Sequence, residues 1–406
     1  MKIEQALEII RWTVSEGLNG TPETHLLPNL CARLIAAGVP LLRINIYQPT
    51  LHPMIGGHLF IWWRGDALAR QEDWDRNVSE FRSDEVLSPF EHMIFTDARK
   101  LRARLGRADE PPKFPLLDEL RRRGGTDYFA MQTRFGKASS LGPVDRILTS
   151  WLTDAPEGFS DAHLTAIEQI APSLALAAKG SSTYRIAHTV IETYLGRDAG
   201  RRVLSGAIER GSGETIRAAL WSCDLKGFTK LADTTPRDQL LAMLDDYFES
   251  MVTTVHEFGG QVLKFMGDGL LAIFTLGDDA ESCSAALNAA ERALQRVGEL
   301  TTARKAGGLP ASEFYIGLHL GEVMYGNIGA RDRLDFTVVG PAVNEVSRME
   351  AMCRALEQNL IVSAAFAEAA KGSTDRLVSL GRYALRGVRK PQELFTLEAP
   401  EDGGAA

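Results

Sequence analysis

No stretch of this sequence holds the roughly 18 or more consecutive apolar residues that a membrane-spanning helix needs. The opening Met1–Trp12 carries a single lysine and then an amphipathic pattern with acids inside it, so it does not read as a signal peptide. A cytoplasmic protein is expected, with any input signal arriving there or from a partner protein. Cysteine is scarce. Cys31, Cys223, Cys283 and Cys353 stand far apart, without metal-ligand or redox spacing, and read as reduced thiols. Positive charge is not in excess either. The 406 residues carry a formal net charge of −8, which argues against a general nucleic-acid binder. The run Arg121-Arg122-Arg123 reads as a solvated surface, and repeats and low-complexity tracts are absent.

What is present is a soluble-type composition, 45% hydrophobic and 24% charged, in a chain too long for one ordinary core. Residues 1–180 alternate helical and strand-like patterns. Thr21 is a candidate N-cap with Pro22 at the first helical position, and Leu26, Leu27, Leu30 and Leu34 give that helix an apolar face. Strands are expected at Leu41–Tyr47, His58–Trp63, Glu91–Phe95, Tyr128–Thr133 and Ile147–Leu152, before a helix capped by Ser160 or Asp161. Helix, strands, then helix predicts an α+β domain on an antiparallel sheet. Residues 181–213 predict a helical linker, broken at Gly196 and ending in the hinge-like Gly211-Ser212-Gly213. A packed helix pair belonging to either neighbour is the alternative. Residues 214–398 form a second domain, and 399–406 a disordered tail.

In that second domain Ile216–Cys223 is a short apolar strand ending at Asp224. Thr235-Pro236-Arg237-Asp238 starts a helix that buries Leu244, Tyr247, Met251 and Val255. Gln261–Phe265 and Leu270–Phe274 flank Gly267-Asp268-Gly269, a hairpin with an acidic tip. A further helix carries Leu287, Ala290, Leu294 and Val297; strands follow at Phe314–Leu320 and Phe336–Val339, then a helix bearing Asn344 and Arg348.

Two carboxylates at strand ends suit hard cations, which take oxygen ligands and keep water or phosphate oxygens for the rest of their shell. Taken singly, Asp224 and Asp268 are as well explained as turn aspartates. Gly227, Phe228 and Thr229 lead into a helix whose backbone N–H groups suit phosphates. Lys264 precedes Asp268 by four residues and reads equally as a salt-bridged surface lysine. Asn344 and Arg348, four apart, share a helix face suited to a nucleotide; Arg348 paired with Glu345 or Glu350 is the bland alternative. In the first half, His52, His58, Trp62 and Trp63 are candidates for a pocket, or else fillers of core and surface.

Together these segments resemble a known family. Ala218–Thr229 and Gly259–Gly269 are similar to the first and second metal-binding segments of class III nucleotidyl cyclases, and Asp335–Arg348 resembles their base- and transition-state-binding segment. The resemblance covers about 214–398. It implies a ferredoxin-like α/β catalytic domain working as a head-to-tail homodimer with two active sites in the interface. It further implies two divalent metal ions, Mg²⁺ or Mn²⁺, on Asp224 and Asp268 with help from the Leu225 carbonyl. From the other protomer, Asn344 would orient the ribose and Arg348 would stabilise charge on the α-phosphate, with Lys390 (or Arg389) at the terminal phosphates. Lys264 matches the lysine of adenine-specific members, where guanylyl cyclases place an acid. Thr337 departs from the commoner Asp, but its hydroxyl is able to accept from the adenine amino group. The Lys/Thr pair resembles the subclass that includes bicarbonate-responsive adenylyl cyclases. ATP is therefore the expected substrate; a guanylate cyclase and a non-catalytic dimerisation module are the alternatives. The first half, chiefly Trp151–Ala178, resembles a GAF-type sensor domain, which implies an unknown small-molecule or protein signal.

Overall fold

The computed structural model describes residues 1–76, 88–106, 114–136, 141–142 and 144–398. The expected disordered tail 399–406 lies outside the described residues. The chain divides into two compact units, Met1–Val190 and Ile191 onward.

In the first unit the order is α1 (Ile3–Leu18), α2 (Glu23–Ala36), β1 (Arg43–Pro49), β2 (Ile55–Trp63), β3 (Arg70–Asp75) and α3 (Pro89–Thr96). Then come β4 (Lys100–Arg104), α4 (Pro115–Arg122), β5 (Asp127–Arg134), β6 (Arg146–Thr153) and α5 (Asp161–Leu195), which runs on past the unit boundary. The strands form one antiparallel sheet in the order β3-β2-β1-β6-β5-β4. Side-chain alternation sorts each strand between two faces. Ile44 and Ile46 of β1 join Leu27, Leu30, Ile167 and Leu174 in the core under α2 and α5. The opposite face, with Tyr128 and Leu148, is covered by Met93 of α3 and by Leu117 and Leu120 of α4. Glu23, 1% exposed, fastens α2 to α5: Arg185 donates to its carboxylate at 2.9 Å and Gln48 at 2.6 Å, and the Ser181 hydroxyl donates to it too. Burial pushes that carboxyl up, but Arg185, Ser181 and Gln48 together outweigh it and the net shift is downward.

Three local expectations are corrected. Glu91–Phe95 is not a strand but part of α3, because Ser88 Oγ accepts from the Glu91 N–H at 3.2 Å with Pro89 in the first helical turn. At α2 the N-cap is Pro22, while the Thr21 hydroxyl donates to Glu16 at 2.6 Å. Gly211-Ser212-Gly213 is no free hinge: Gly211 N–H donates to the Asn327 carbonyl and Asn327 N–H to the Ser212 carbonyl, both at 2.9 Å.

The second unit comprises α6 (Arg197–Leu204), β7 (Gly213–Leu225), α7 (Phe228–Thr234), α8 (Arg237–Glu257), β8 (Gln261–Met266), β9 (Gly269–Phe274) and α9 (Asp279–Ala306). β10 (Phe314–Gly329), β11 (Leu334–Val339), α10 (Pro341–Ala355), β12 (Leu360–Ser363), α11 (Ala364–Ala370), β13 (Leu377–Tyr383) and β14 (Gln392–Leu397) complete it. Its sheet runs β13-β14-β12-β10-β7-β9-β8, with β11 paired to β10. The central β10-β7-β9-β8 order, with α8 and α9 in the crossings, is the β-α-β-β-α-β arrangement of ferredoxin-like domains. Tyr247 and Met251 of α8 and Ala286 and Ala290 of α9 pack on Trp221, Phe274 and Ile316. On the other face Val346 of α10 meets Leu220 and Leu271, joined by Ala199 of α6. That burial of Ala199 ties α6 to this unit.

Candidate active site

The apolar run that makes β7 a central strand ends where the sheet opens, leaving Asp224 between Gly269 of β9 and Tyr315 of β10. Asp268 occupies the turn of the β8–β9 hairpin beside it. Gly267 takes φ +67°, a left-handed conformation that glycine adopts without strain. Gly269 is required for room instead: a Cβ there would lie 2.1 Å from the Cys223 carbonyl oxygen and 3.1 Å from Asp224 Oδ1.

The two carboxyl groups face each other closely enough for each to feel the other's charge. Burial first, and then the facing Asp268, raise the Asp224 carboxyl to about 7, and no cationic side chain among the described residues counters them. A pair of apposed carboxyls that holds on to a proton is a site that a divalent cation relieves, and carboxylate oxygens are the donors a hard cation takes. The residues present therefore fit such a metal. Glu350, on α10, was not recognised from the sequence. Burial, followed by the negative charge of Asp224 and Asp268, raises its carboxyl to about 7 as well. No group of three or more His, Cys, Asp or Glu side chains close enough to hold a metal occurs among the described residues. Glu350 therefore feels the pair through charge. Its signal was available: Val346 and Cys353, four before and three after it, are buried, so an acid stands on an apolar stripe.

Leu225 is buried at the end of β7, paired with Phe314. Gly227 is the N-cap of α7 at φ +65°, with Phe228 and Thr229 in its first turn. Lys226, between them, is occupied by Glu313: its Nζ lies 2.7 Å from Glu313 Oε2, and its N–H donates to the Glu313 carbonyl at 2.8 Å.

Lys264 lies half-buried in β8, just after a register shift. Thr337 sits in β11 opposite Gly326, and β8 and β11 adjoin. The Thr337 hydroxyl is buried without a hydrogen-bond partner among the described residues. Asn344 is exposed in the first turn of α10. Arg348, a turn later, rests its guanidinium on Gly387, in the β13–β14 loop that also presents the exposed Arg389 and Lys390. Neither acid suggested for Arg348 takes it: Glu345 lies 3.8 Å from His319 Nε2, and Glu350 faces the aspartates. The chain therefore joins Asp224 to Asp268, and Arg348 to the loop of Lys390, as two groups.

Residues 215–399 match the family described as "Adenylate and Guanylate cyclase catalytic domain", and the C-terminal unit carries a class III cyclase catalytic domain. An adenylate cyclase of Anabaena cylindrica is 32% identical over 160 residues, which are 38% of this chain and 31% of that protein. An uncharacterized protein of Mycobacterium tuberculosis is 31% identical over 208 residues, 50% of this chain and 38% of that protein. The chain spans about a third of the length of the curated relatives it matches. Among solved structures, the adenylyl cyclase CyaB of P. aeruginosa has a TM-score of 0.43 and 27% identity, covering 47% of this chain and 100% of that one. The guanylyl cyclase Cya2 has a TM-score of 0.41 and 26% identity, covering 47% and 96%. No helix among the described residues is long and apolar enough to cross a membrane.

Proposed function

We propose that the chain is an adenylate cyclase that converts ATP to 3′,5′-cyclic AMP and pyrophosphate at the interface of a homodimer. The observation that carries this reading is the Asp224–Asp268 pair, two apposed carboxyls that no cation among the described residues compensates. Divalent metal ions bound there would supply Lewis-acid stabilisation of the phosphates and a more acidic ribose hydroxyl. The residues' own tasks follow. Asp224 and Asp268, with the Leu225 carbonyl, hold the metals; Gly227, Phe228 and Thr229 line the phosphates. The 3′-oxygen attacks the α-phosphorus, the bond to the β-phosphate oxygen breaks, and the hydroxyl proton passes to solvent. Arg348 and Asn344 of a second copy stabilise the charge on the α-phosphate and orient the ribose, with Lys390 at the leaving group. This division is supported by Arg348 having neither acid of its own helix as partner. It remains free to serve a site whose carboxylates belong to another copy.

Adenine is read by Lys264 and by the Thr337 hydroxyl. The support is that this hydroxyl is buried and unpaired, an arrangement that costs stability unless a ligand uses it. The Lys/Thr pair also supports kinship with the bicarbonate-responsive subclass. Residues 1–180 are read as a GAF-like regulatory domain, supported by a six-stranded antiparallel sheet with helices on both faces. The purified chain, given ATP or GTP with Mn²⁺, tests the reading. Cyclic AMP is expected to form at least tenfold faster than cyclic GMP; the reverse preference overturns the adenylate assignment.

A further inference from the structure

Among the described residues, the face of the first unit's sheet that α3 and α4 cover is not filled. A cavity of about 730 Å³ lies there, walled by β1, β2, β3 and β5. Pockets of this size accommodate organic molecules of drug-like bulk, held mainly by apolar contact with a few polar groups that fix orientation.

Arg43 stands in its wall, only 4% exposed, and its Nη1 has no hydrogen-bond partner among the described residues. The other cations lining the cavity are engaged. Arg70 pairs with Glu72 at 2.7 Å, Arg123 with Glu119 at 2.8 Å and Arg146 with Asp145 at 2.6 Å. Arg76 donates to the His52 carbonyl at 3.0 Å. Arg43 instead faces a ring, lying 5.5 Å from the centroid of Trp63, which Arg123 approaches at 5.2 Å from its own position. Tyr47, Phe90 and Tyr128 add further aromatic wall. Glu91, on α3, brings a buried Oε2 that also lacks a hydrogen-bond partner. A buried guanidinium with an unused donor is costly, and an anionic acceptor brought by a ligand would offset that cost by both hydrogen bond and charge.

We infer that this cavity binds a flat, largely apolar organic anion whose acidic group is received by Arg43, whose body lies along Trp63, and which offers a hydrogen-bond donor to Glu91. A carboxylate and a phosphate monoester share the required chemistry. Of the four residues singled out in the sequence as possible pocket lining, Trp63 borders this cavity, while His52 and His58 border a separate pocket with Tyr184 and Arg185. Trp62 points into the opposite core and donates to the Asp66 carbonyl at 2.9 Å. His52 Nδ1 accepts from the Met54 N–H at 3.1 Å, and His58 is held by Asp73 at 2.8 Å.

The test uses the full chain with three probes of one shape: 2-naphthoate, 2-naphthyl phosphate and the neutral 2-naphthamide. Binding is read by tryptophan quenching and by the shift in melting temperature, neither of which depends on cyclase activity. At least one anion is expected to bind tenfold or more tightly than the amide, and to lose that advantage in Arg43→Met. Which anion prevails distinguishes the two sources of the acidic group. Trp63→Leu is expected to weaken all three probes alike. Without probe, Arg43→Met should melt no lower than the wild type, since it removes an incompletely paired buried charge. Equal binding of anions and amide, no binding at all, an unaffected Trp63→Leu, or a markedly lower melting temperature for Arg43→Met would each overturn the inference. The catalytic reading would survive any of these results.

Discussion

Gly269 faces Asp224 across the β7–β9 ladder, and the space where its side chain would be is taken by the Cys223 carbonyl oxygen and Asp224 Oδ1. The hairpin can therefore carry Asp268 up to Asp224 only because residue 269 has no Cβ.

Gly269→Ala is thus expected to push the hairpin tip off β7. Cyclase turnover should fall by ~10²-fold, the scale set by misplacing reacting groups by about 1 Å. The melting temperature should fall as well. Steady-state assays beside calorimetry would check this, and near-normal turnover would contradict the tight approach.

If each active site takes its carboxylates from one copy and its arginine from the other, Asp224→Asn and Arg348→Ala should each abolish turnover by ~10²–10³-fold. Refolding the two variants together in equal amounts should restore about a quarter of wild-type activity. Half of the dimers would then be mixed, and each mixed dimer would hold one intact site of two. No recovery on mixing would place both groups in the same copy's site.

Base choice is expected to follow Lys264. Lys264→Glu should lower kcat/KM for ATP by ~10–100-fold, the scale of losing one hydrogen bond to a charged group, ~1.5–3 kcal/mol. The ratio of GTP to ATP turnover should rise. An unchanged ratio would remove Lys264 from base recognition.

Glu350 gives a pH-dependent signature in EDTA. Its folded carboxyl is raised from 4.5 to about 7, so the folded state keeps a proton that the unfolded chain has released. The associated stability is full below about 4.5 and is lost as pH rises through about 7. Glu350→Gln should accordingly melt above the wild type at pH 8, with the gap closing towards pH 4.5. A gap independent of pH would show that Glu350 does not feel the aspartate pair.

His319 has the opposite sign. It is 8% exposed, and burial first, then Arg217, lower its ring to about 4, while Ser363 Oγ lies 2.9 Å from Nδ1. The folded state keeps the ring neutral while the unfolded chain titrates near 6.5. Stability is thus present above about 6.5 and is lost as pH falls towards 4. The loss amounts to up to ~3 kcal/mol. In His319→Gln that slope should flatten, as chemical denaturation at several pH values would reveal.

Much of the architecture was legible along the chain because apolar periodicity is a local property. The β8–β9 hairpin, the helices α8 and α9, and strands β5 and β6 follow directly from their buried residues and turn glycines. Edge strands carry no such signal. β3 is exposed along almost its whole length, so nothing in its alternation betrays it. Glu91–Phe95 reads as a strand by composition, yet the Ser88 cap and Pro89 start a helix there.

The sequence by itself determined which side chains are chemically able to bind metal and nucleotide, since Asp224, Asp268, Lys264, Asn344 and Arg348 stand in recognisable segments. Only the tertiary structure decided how they are grouped. It joins two aspartates about 40 positions apart by pairing β7 with β9, raises the Asp224 carboxyl by burial and like charge, and adds Glu350 from a helix more than 80 positions beyond Asp268. It likewise rests Arg348 on Gly387, away from the acids of its own helix. Charge and burial depend on distances through space, and spacing along the chain does not contain them.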